Sequence, residues 1–205
     1  MKEIRNIIFD VGNVLFKYYP EYIIKSLLPK TLHSEFYLEH LFNSDIWTSL
    51  DKGTLDVNSA IKLLHNDHEL STNQKSDITL LITNFYKFLI LDEDMKNLFI
   101  QCTKHYNVYI LSNFQSDSFK KLKHDHSFLS LAKGEVVSAN VKMIKPELGI
   151  YHYLLSQEKI LPQKSVFIDD MKDNIITAKR LLINAIHHES YAKTISKLKQ
   201  LKITV

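Results

Sequence analysis

The run Asn6-Ile7-Ile8-Phe9-Asp10 constrains this chain more than any other segment. It is short, apolar and rich in β-branched and aromatic residues, and it ends on a carboxylate with Gly12 close behind. A strand with no polar face must be covered on both sides, which is the condition of a buried parallel strand. Similar runs follow much later, at Asn107-Val108-Tyr109-Ile110-Leu111, Glu135-Val136-Val137 and Ser165-Val166-Phe167-Ile168-Asp169. Helical patterns separate them. From Glu147 to Gln157, just after Pro146, the apolar residues Leu148, Tyr151, Leu154 and Leu155 fall at helical spacing. Asp173 to Leu182 reads the same way. Strands alternating with helices predict an α/β fold, a doubly wound parallel sheet covered on both faces.

The stretch from about Phe16 to Leu91 breaks this alternation. It holds helical patterns at Glu21 to Leu28, Ser34 to Phe42, Val57 to His65 and Thr72 to Leu89, and no convincing strand. Asp51-Lys52-Gly53 reads as a turn between helices. The expected organisation is a core of residues 1–16 and 91–205 with an inserted helical domain of residues 17–90. A chain of 205 residues suits such a plan.

Composition narrows the partners. The net charge of +3 is small and spread out, so no nucleic-acid partner is expected. Lys120, Lys121 and Lys123 form the densest basic patch and read as a solvated helix face. Cys102 is the only cysteine, which excludes a disulfide within the chain and fits a reducing compartment. No apolar run approaches the roughly 18 residues needed to span a bilayer, and the N-terminus leads straight into the first strand without a leader-like segment. A cytoplasmic protein with no membrane partner is expected.

Open parallel sheets bind ligands at the carboxyl ends of their strands. Here those ends carry Asp10, Ser112-Asn113 and Asp169-Asp170, and Lys145 lies in a loop before a helix. Three close carboxylates repel one another and call for a cation. Oxygen ligands without sulfur or imidazole suit Mg²⁺. A lysine beside them could hold a phosphate dianion, and one carboxylate could then attack phosphorus to form an acyl phosphate. Metal and lysine would stabilise the transferring oxygens. Gly12 would let the backbone pass close to metal and ligand, an informative placement in a chain with 4 glycines.

These residues resemble a known family. Ile8-Phe9-Asp10-Val11-Gly12-Asn13-Val14-Leu15, Leu111-Ser112-Asn113, Lys145-Pro146-Glu147 and Phe167-Ile168-Asp169-Asp170 with Asn174 look like the four ordered motifs of the haloacid dehalogenase (HAD) superfamily. The likeness spans essentially the whole chain and is nearest to bacterial hydrolases that open with an "FDLGNV" signature, among them sugar-phosphate phosphatases. It implies a Rossmann-like core, with the helical insert as a cap over the substrate. It implies Asp10 as nucleophile and metal ligand, and Gly12 as a carbonyl ligand to Mg²⁺. Ser112 and the amide of Asn113 would bind phosphate, and Lys145 would neutralise charge between phosphate and Asp10. Asp170 would be the main acidic metal ligand of the last motif, Asp169 would support it, and Asn174 would steady the loop. The implied reaction is Mg²⁺-dependent hydrolysis of a small phosphorylated metabolite, such as a sugar phosphate.

One departure stands out. The family's usual first motif has a second aspartate, a general acid and base, where this chain has Gly12. Such catalysis is typically worth ~10²–10⁴ in rate. Its loss suits a good leaving group, such as an anomeric phosphate, or another proton source in the cap. Met171 also stands where relatives carry small polar residues. Two other readings remain: a dehalogenase in which Asp10 attacks carbon, which the acidic pair Asp169-Asp170 disfavours, and a non-catalytic protein that binds a phosphorylated metabolite, which Gly12 favours. Taken singly, each motif has a structural reading, such as Asp10 or Asp169-Asp170 capping a turn or helix. The pairs His65/His68, His124/His126 and His187/His188 lack ligand partners and read as non-metal residues. Trp47 reads as a packing residue. Phe16, Tyr18 and Tyr19 either line the cap entrance or pack its hinge.

Overall fold

A computed structural model describes residues 3–66 and 70–204. Its central sheet is built from β1 (Asn6–Phe9), β4 (Asn107–Ser112), β5 (Gly134–Val137), β6 (Ser165–Asp169) and β7 (Asn184–His187). Two short strands, β2 (Phe16–Lys17) and β3 (Ile90–Leu91), pair antiparallel beside it. The sheet order is β5-β4-β1-β6-β7, and every neighbour is parallel. The first strand of the chain is therefore the middle strand of the sheet. Alternate residues explain why both faces are buried. Ile7 and Phe9 join one core with Val108, Ile110, Val166 and Ile168. Ile8 joins the other with Tyr109, Leu111 and Phe167.

Helices α1 (Pro20–Leu27), α2 (Ser34–Tyr37), α3 (Asp45–Lys52), α4 (Val57–His65) and α5 (Thr72–Asn84) lie between β2 and β3. Leu38–Phe42 continues α2 as a widened π turn, and Phe85–Phe88 ends α5 as a 3-10 turn. The core helices are α6 (Glu93–Thr103), α7 (Ser116–Asp125), α8 (Ser138–Val141), α9 (Leu148–Gln157), α10 (Lys172–Arg180) and α11 (Tyr191–Gln200). Met95, Leu98 and Phe99 of α6 pack on the first face of the sheet. Ile150, Tyr151 and Leu154 of α9, with Ile175 and Ala178 of α10, pack on the second. No described helix is long and apolar enough to cross a membrane.

Two differences from the sequence reading have physical causes. The stretch thought free of strands begins and ends on β2 and β3. Each has only two residues, too short to show an alternating pattern. Asp45–Lys52 is a helix, capped by the Ser44 hydroxyl on the Trp47 N–H. Its core face, Trp47 and Leu50, is too brief to register as periodicity.

Of the segment Asp51-Lys52-Gly53 read as a turn, Asp51 and Lys52 are the last two residues of that helix, and Gly53 alone ends it, against the core. Gly53 is left-handed at φ +74, and a Cβ there would overlap the Ala139 backbone. Gly53→Ala therefore combines a handedness penalty of ~1–2 kcal/mol with a clash. The expected result is a thermal midpoint lower by at least about 3 °C. An unchanged midpoint would show that the turn is not held against Ala139.

Candidate active site

Strand register brings the acidic groups together. Phe9 lies opposite Ile110 on one side and Ile168 on the other. The next residue, Asp10, keeps the ladder through its N–H to the Ile168 carbonyl at 3.0 Å. It thus emerges between Ser112-Asn113 at the end of β4 and Asp169-Asp170 at the end of β6. Carboxylate oxygens of Asp10, Asp169 and Asp170 lie within 4.8 Å of one another.

Lys145 enters this cluster from the loop before α9. Its Nζ lies 2.8 Å from Asp10 Oδ1 and 2.7 Å from Asp169 Oδ2, and the residue is 4% exposed. Burial alone would lower the ammonium, but the charges and hydrogen bonds of Asp10 and Asp169 outweigh it and hold it above its usual range. Burial raises Asp10 to about 7 despite Lys145, with repulsion from Asp169 adding to the rise. Asp170 is likewise raised, by burial first and Asp169 second. One ammonium does not balance three carboxylates. The site is short of positive charge, and its free donors are all oxygens, so a hard cation fits it.

The two β6 carboxylates differ in what they have left to offer. Asp169 accepts from the Met171 N–H at 2.8 Å, and both its oxygens accept from Asn174 Nδ2, at 2.9 and 3.0 Å. With Lys145 also bound, it is saturated. Asp170 accepts one side-chain bond, from Asn13 Nδ2 at 3.2 Å. Met171 turns its side chain to solvent and uses its main chain to hold Asp169, so the unusual residue leaves the loop intact. Asn113 spends its side-chain amide on Lys145: Nδ2 donates to the Lys145 carbonyl at 3.0 Å, and Oδ1 accepts the Lys145 N–H at 2.8 Å. The Ser112 hydroxyl is buried at the strand tip with no hydrogen-bond partner among the described residues, which costs stability unless a ligand completes it.

Gly12 is not crowded by the protein itself. An added Cβ would meet nothing within 4 Å, and the residue is not left-handed. Neither crowding within the protein nor backbone handedness requires glycine there.

Three supporting residues escaped the sequence reading. Asn13, at φ 52, links the first loop to Asp170 and accepts the Tyr18 N–H at 2.9 Å. His187 Nε2 bonds the Asp170 carbonyl at 2.8 Å from β7. Asp51, in the last turn of α3, accepts from the Ser138 hydroxyl through its main-chain carbonyl and so fastens that helix to the core. The turn-prone pair Gly12-Asn13 just after the first carboxylate was the available signal for Asn13; the other two depend on long-range packing. The remaining histidines gather into no metal cluster among the described residues. His65 bonds within the helical segment, to the Lys75 carbonyl and Thr79 hydroxyl, and His68 lies outside the described residues. Trp47 packs between Phe42 and Phe85, with ring centroids at 4.5 and 4.9 Å. Phe16 is wholly buried against His126, and Tyr19 is exposed. Lys120 and Lys123 pair with Asp117 and Glu135, and Lys121 lies over the Tyr86 ring.

No family model matches the chain. Its fold closely follows the HAD family enzyme BT-2542 of Bacteroides thetaiotaomicron in its magnesium complex, with a TM-score of 0.75 at 22% identity over 91% of this chain and 94% of that one. The chain has the fold of these HAD family enzymes. Its HAD fold also matches a dehalogenase at TM-score 0.69 and 15% identity, over 90% of this chain and 84% of that one. By sequence, it is 26% identical to the sesquiterpene phosphatase astK of Aspergillus oryzae over 195 residues, which is 95% of this chain and 94% of that protein. BT-2542 has also been crystallised with magnesium and inorganic phosphate. A fold shared with a dehalogenase does not by itself separate phosphatase from dehalogenase, so the site chemistry must.

Proposed function

We propose that this chain is a Mg²⁺-dependent phosphatase that hydrolyses a small phosphomonoester through an aspartyl phosphate on Asp10. The observation that carries this reading is Lys145 bound between Asp10 and Asp169, with Asp170 close by and partly free. A dehalogenase needs one attacking carboxylate and no metal. Three carboxylates with one ammonium suit a metal and a phosphate dianion.

Asp10, the carbonyl of Gly12 and Asp170 would hold Mg²⁺, with Asp169 behind them. When bound, the ion neutralises the carboxylates and polarises the phosphoryl oxygens. The orphaned Ser112 hydroxyl and the main-chain amide of Asn113 would receive the phosphate oxygens, and Lys145 would bridge phosphate to Asp10. Asp10 would then attack phosphorus in line as the ester oxygen leaves. Asn174 and Asn13 position Asp169 and Asp170. The helices from α1 to α5 would form the cap that excludes water and contacts the leaving group.

Two substrate classes suit this site. The motifs resemble those of sugar-phosphate phosphatases. Relatedness to a sesquiterpene phosphatase favours instead the monophosphate of an apolar alcohol. The test is turnover of p-nitrophenyl phosphate, a hexose phosphate and a C15 prenyl monophosphate, each with Mg²⁺ and with excess chelator. Phosphate release that needs Mg²⁺ is expected. Full activity in chelator, or halide release from a 2-haloacid with no phosphatase activity, would overturn the reading.

A further inference from the structure

A lysine carries its charge on a flexible aliphatic stem, so Lys145 can grip a phosphate accurately only if its main chain is held still. Its own turn supplies little of that. The Glu147 N–H closes the turn on the Ile144 carbonyl at 2.9 Å, and Pro146 has no N–H to donate. Both polar main-chain atoms of Lys145 bond instead to one side chain. Asn113 Oδ1 accepts the Lys145 N–H at 2.8 Å, and Asn113 Nδ2 donates to the Lys145 carbonyl at 3.0 Å. No other hydrogen bond reaches either atom among the described residues. Asn113 is itself well placed to hold them. It follows Ser112, the last residue of β4, and the next residue, Phe114, donates its N–H to the Ser138 hydroxyl at 2.9 Å. At the far end of the lysine, Nζ lies 2.8 Å from Asp10 and 2.7 Å from Asp169. A second tie reaches the same turn from the helical segment, where Lys52 Nζ lies 2.5 Å from Glu147 Oε1. Those two side chains are 32% and 44% exposed, and exposed ion pairs hold little. The Asn113 bonds are the stronger constraint, because without them both main-chain atoms of Lys145 lose their only partner.

We infer that the Asn113 side chain is a positioning residue that acts through Lys145. Its carboxamide grips the lysine main chain, while its own main chain belongs to the loop proposed to receive the phosphate oxygens. The two halves of the phosphate site, 32 residues apart in sequence, are thereby locked into one unit. Their spacing is set before phosphate arrives, which is the condition for charge stabilisation without reorganisation. The inference rests on the phosphatase reading and adds to it a residue whose side chain touches no reacting atom.

The test is a cycle of Asn113→Ala, Lys145→Met and the double variant, all with saturating Mg²⁺. Two quantities are read: kcat/KM on p-nitrophenyl phosphate, and the rise in thermal midpoint on adding inorganic phosphate. Asn113→Ala alone should lower kcat/KM ~10–10²-fold, as loss of an outer supporting residue does elsewhere, and should shrink the rise caused by phosphate. In the Lys145→Met background the same change should cost less than about 3-fold and leave the phosphate rise as it was, because nothing remains to position. If the midpoint shows Asn113→Ala to be unfolded, Asn113→Ser takes its place in the cycle. Serine keeps a polar group beside the lysine main chain but is too short to span both of its atoms. A side chain that bound phosphate itself, or served the fold alone, would act equally in both backgrounds. Equal losses in the two backgrounds, or no loss in either, would overturn the Asn113 assignment and leave the phosphatase reading standing. A wild type that neither hydrolyses the ester nor responds to phosphate would overturn both.

Discussion

Asp10→Asn is expected to abolish phosphatase turnover, by roughly 10⁴-fold or more, as removal of a catalytic nucleophile does elsewhere. The protein should remain folded. Asparagine keeps the shape and an oxygen to accept the Val11 N–H, which Asp10 Oδ1 accepts at 2.7 Å. Lys145 keeps its bond to Asp169 at 2.7 Å. Replacement also removes a negative charge from a cluster that repels it, since Asp169 and Asp170 both push the Asp10 carboxyl upward. Without metal, the thermal midpoint should therefore be unchanged or slightly higher. Turnover of p-nitrophenyl phosphate and the midpoint are measured together. Substantial remaining turnover in a folded variant would remove Asp10 from the role of nucleophile.

That pairing of lost chemistry with retained fold reflects how the site is built, and also why so much of it was legible. Asp10, Ser112 and Asp169-Asp170 each follow or end an apolar run. A buried parallel strand must place its last polar residue at the sheet edge, so runs of this kind mark out a site through their residue order alone. The sheet order adds only that β1 lies centrally, which puts Asp10 between the other two ends. Lys145 was legible through its motif, although nothing in its local sequence shows that it is buried.

What stayed hidden depends on contacts distant in sequence. Asp51 approaches the core through Ser138, 87 residues away. His187 reaches the Asp170 carbonyl across the β6–β7 pair. Helix α3 has no extended apolar stripe because it buries little more than Trp47 and Leu50. Gly12 is a different case: within the protein the space around it is open and its backbone is not left-handed, so the close approach expected of it is toward metal and ligand. The glycine therefore bears on chemistry, through the carboxylate it withholds, rather than on folding.

Lys145→Met is expected to have the largest effect on stability, and the effect should depend on the metal. Methionine matches the length of lysine and can pack against the Phe167 ring, over which the ammonium lies at 5.5 Å. Lost packing should thus contribute little. Lost charge should matter, because Asp10 and Asp169 are 6% and 0% exposed and would face each other and Asp170 with no counter-ion. Breaking a buried ion pair from one side costs about 3–5 kcal/mol. In chelator the thermal midpoint should fall by roughly 6–20 °C at this chain length. Saturating Mg²⁺ binds the folded state and returns positive charge to the cluster, so it should raise the variant's midpoint by more than it raises the wild type's. Turnover should stay low even then, because the group proposed to bridge phosphate to Asp10 is gone. Midpoints that match the wild type in chelator would mean that the carboxylates are not charged together in the folded protein. Equal metal shifts in the two proteins would mean that the ion binds somewhere other than beside Lys145.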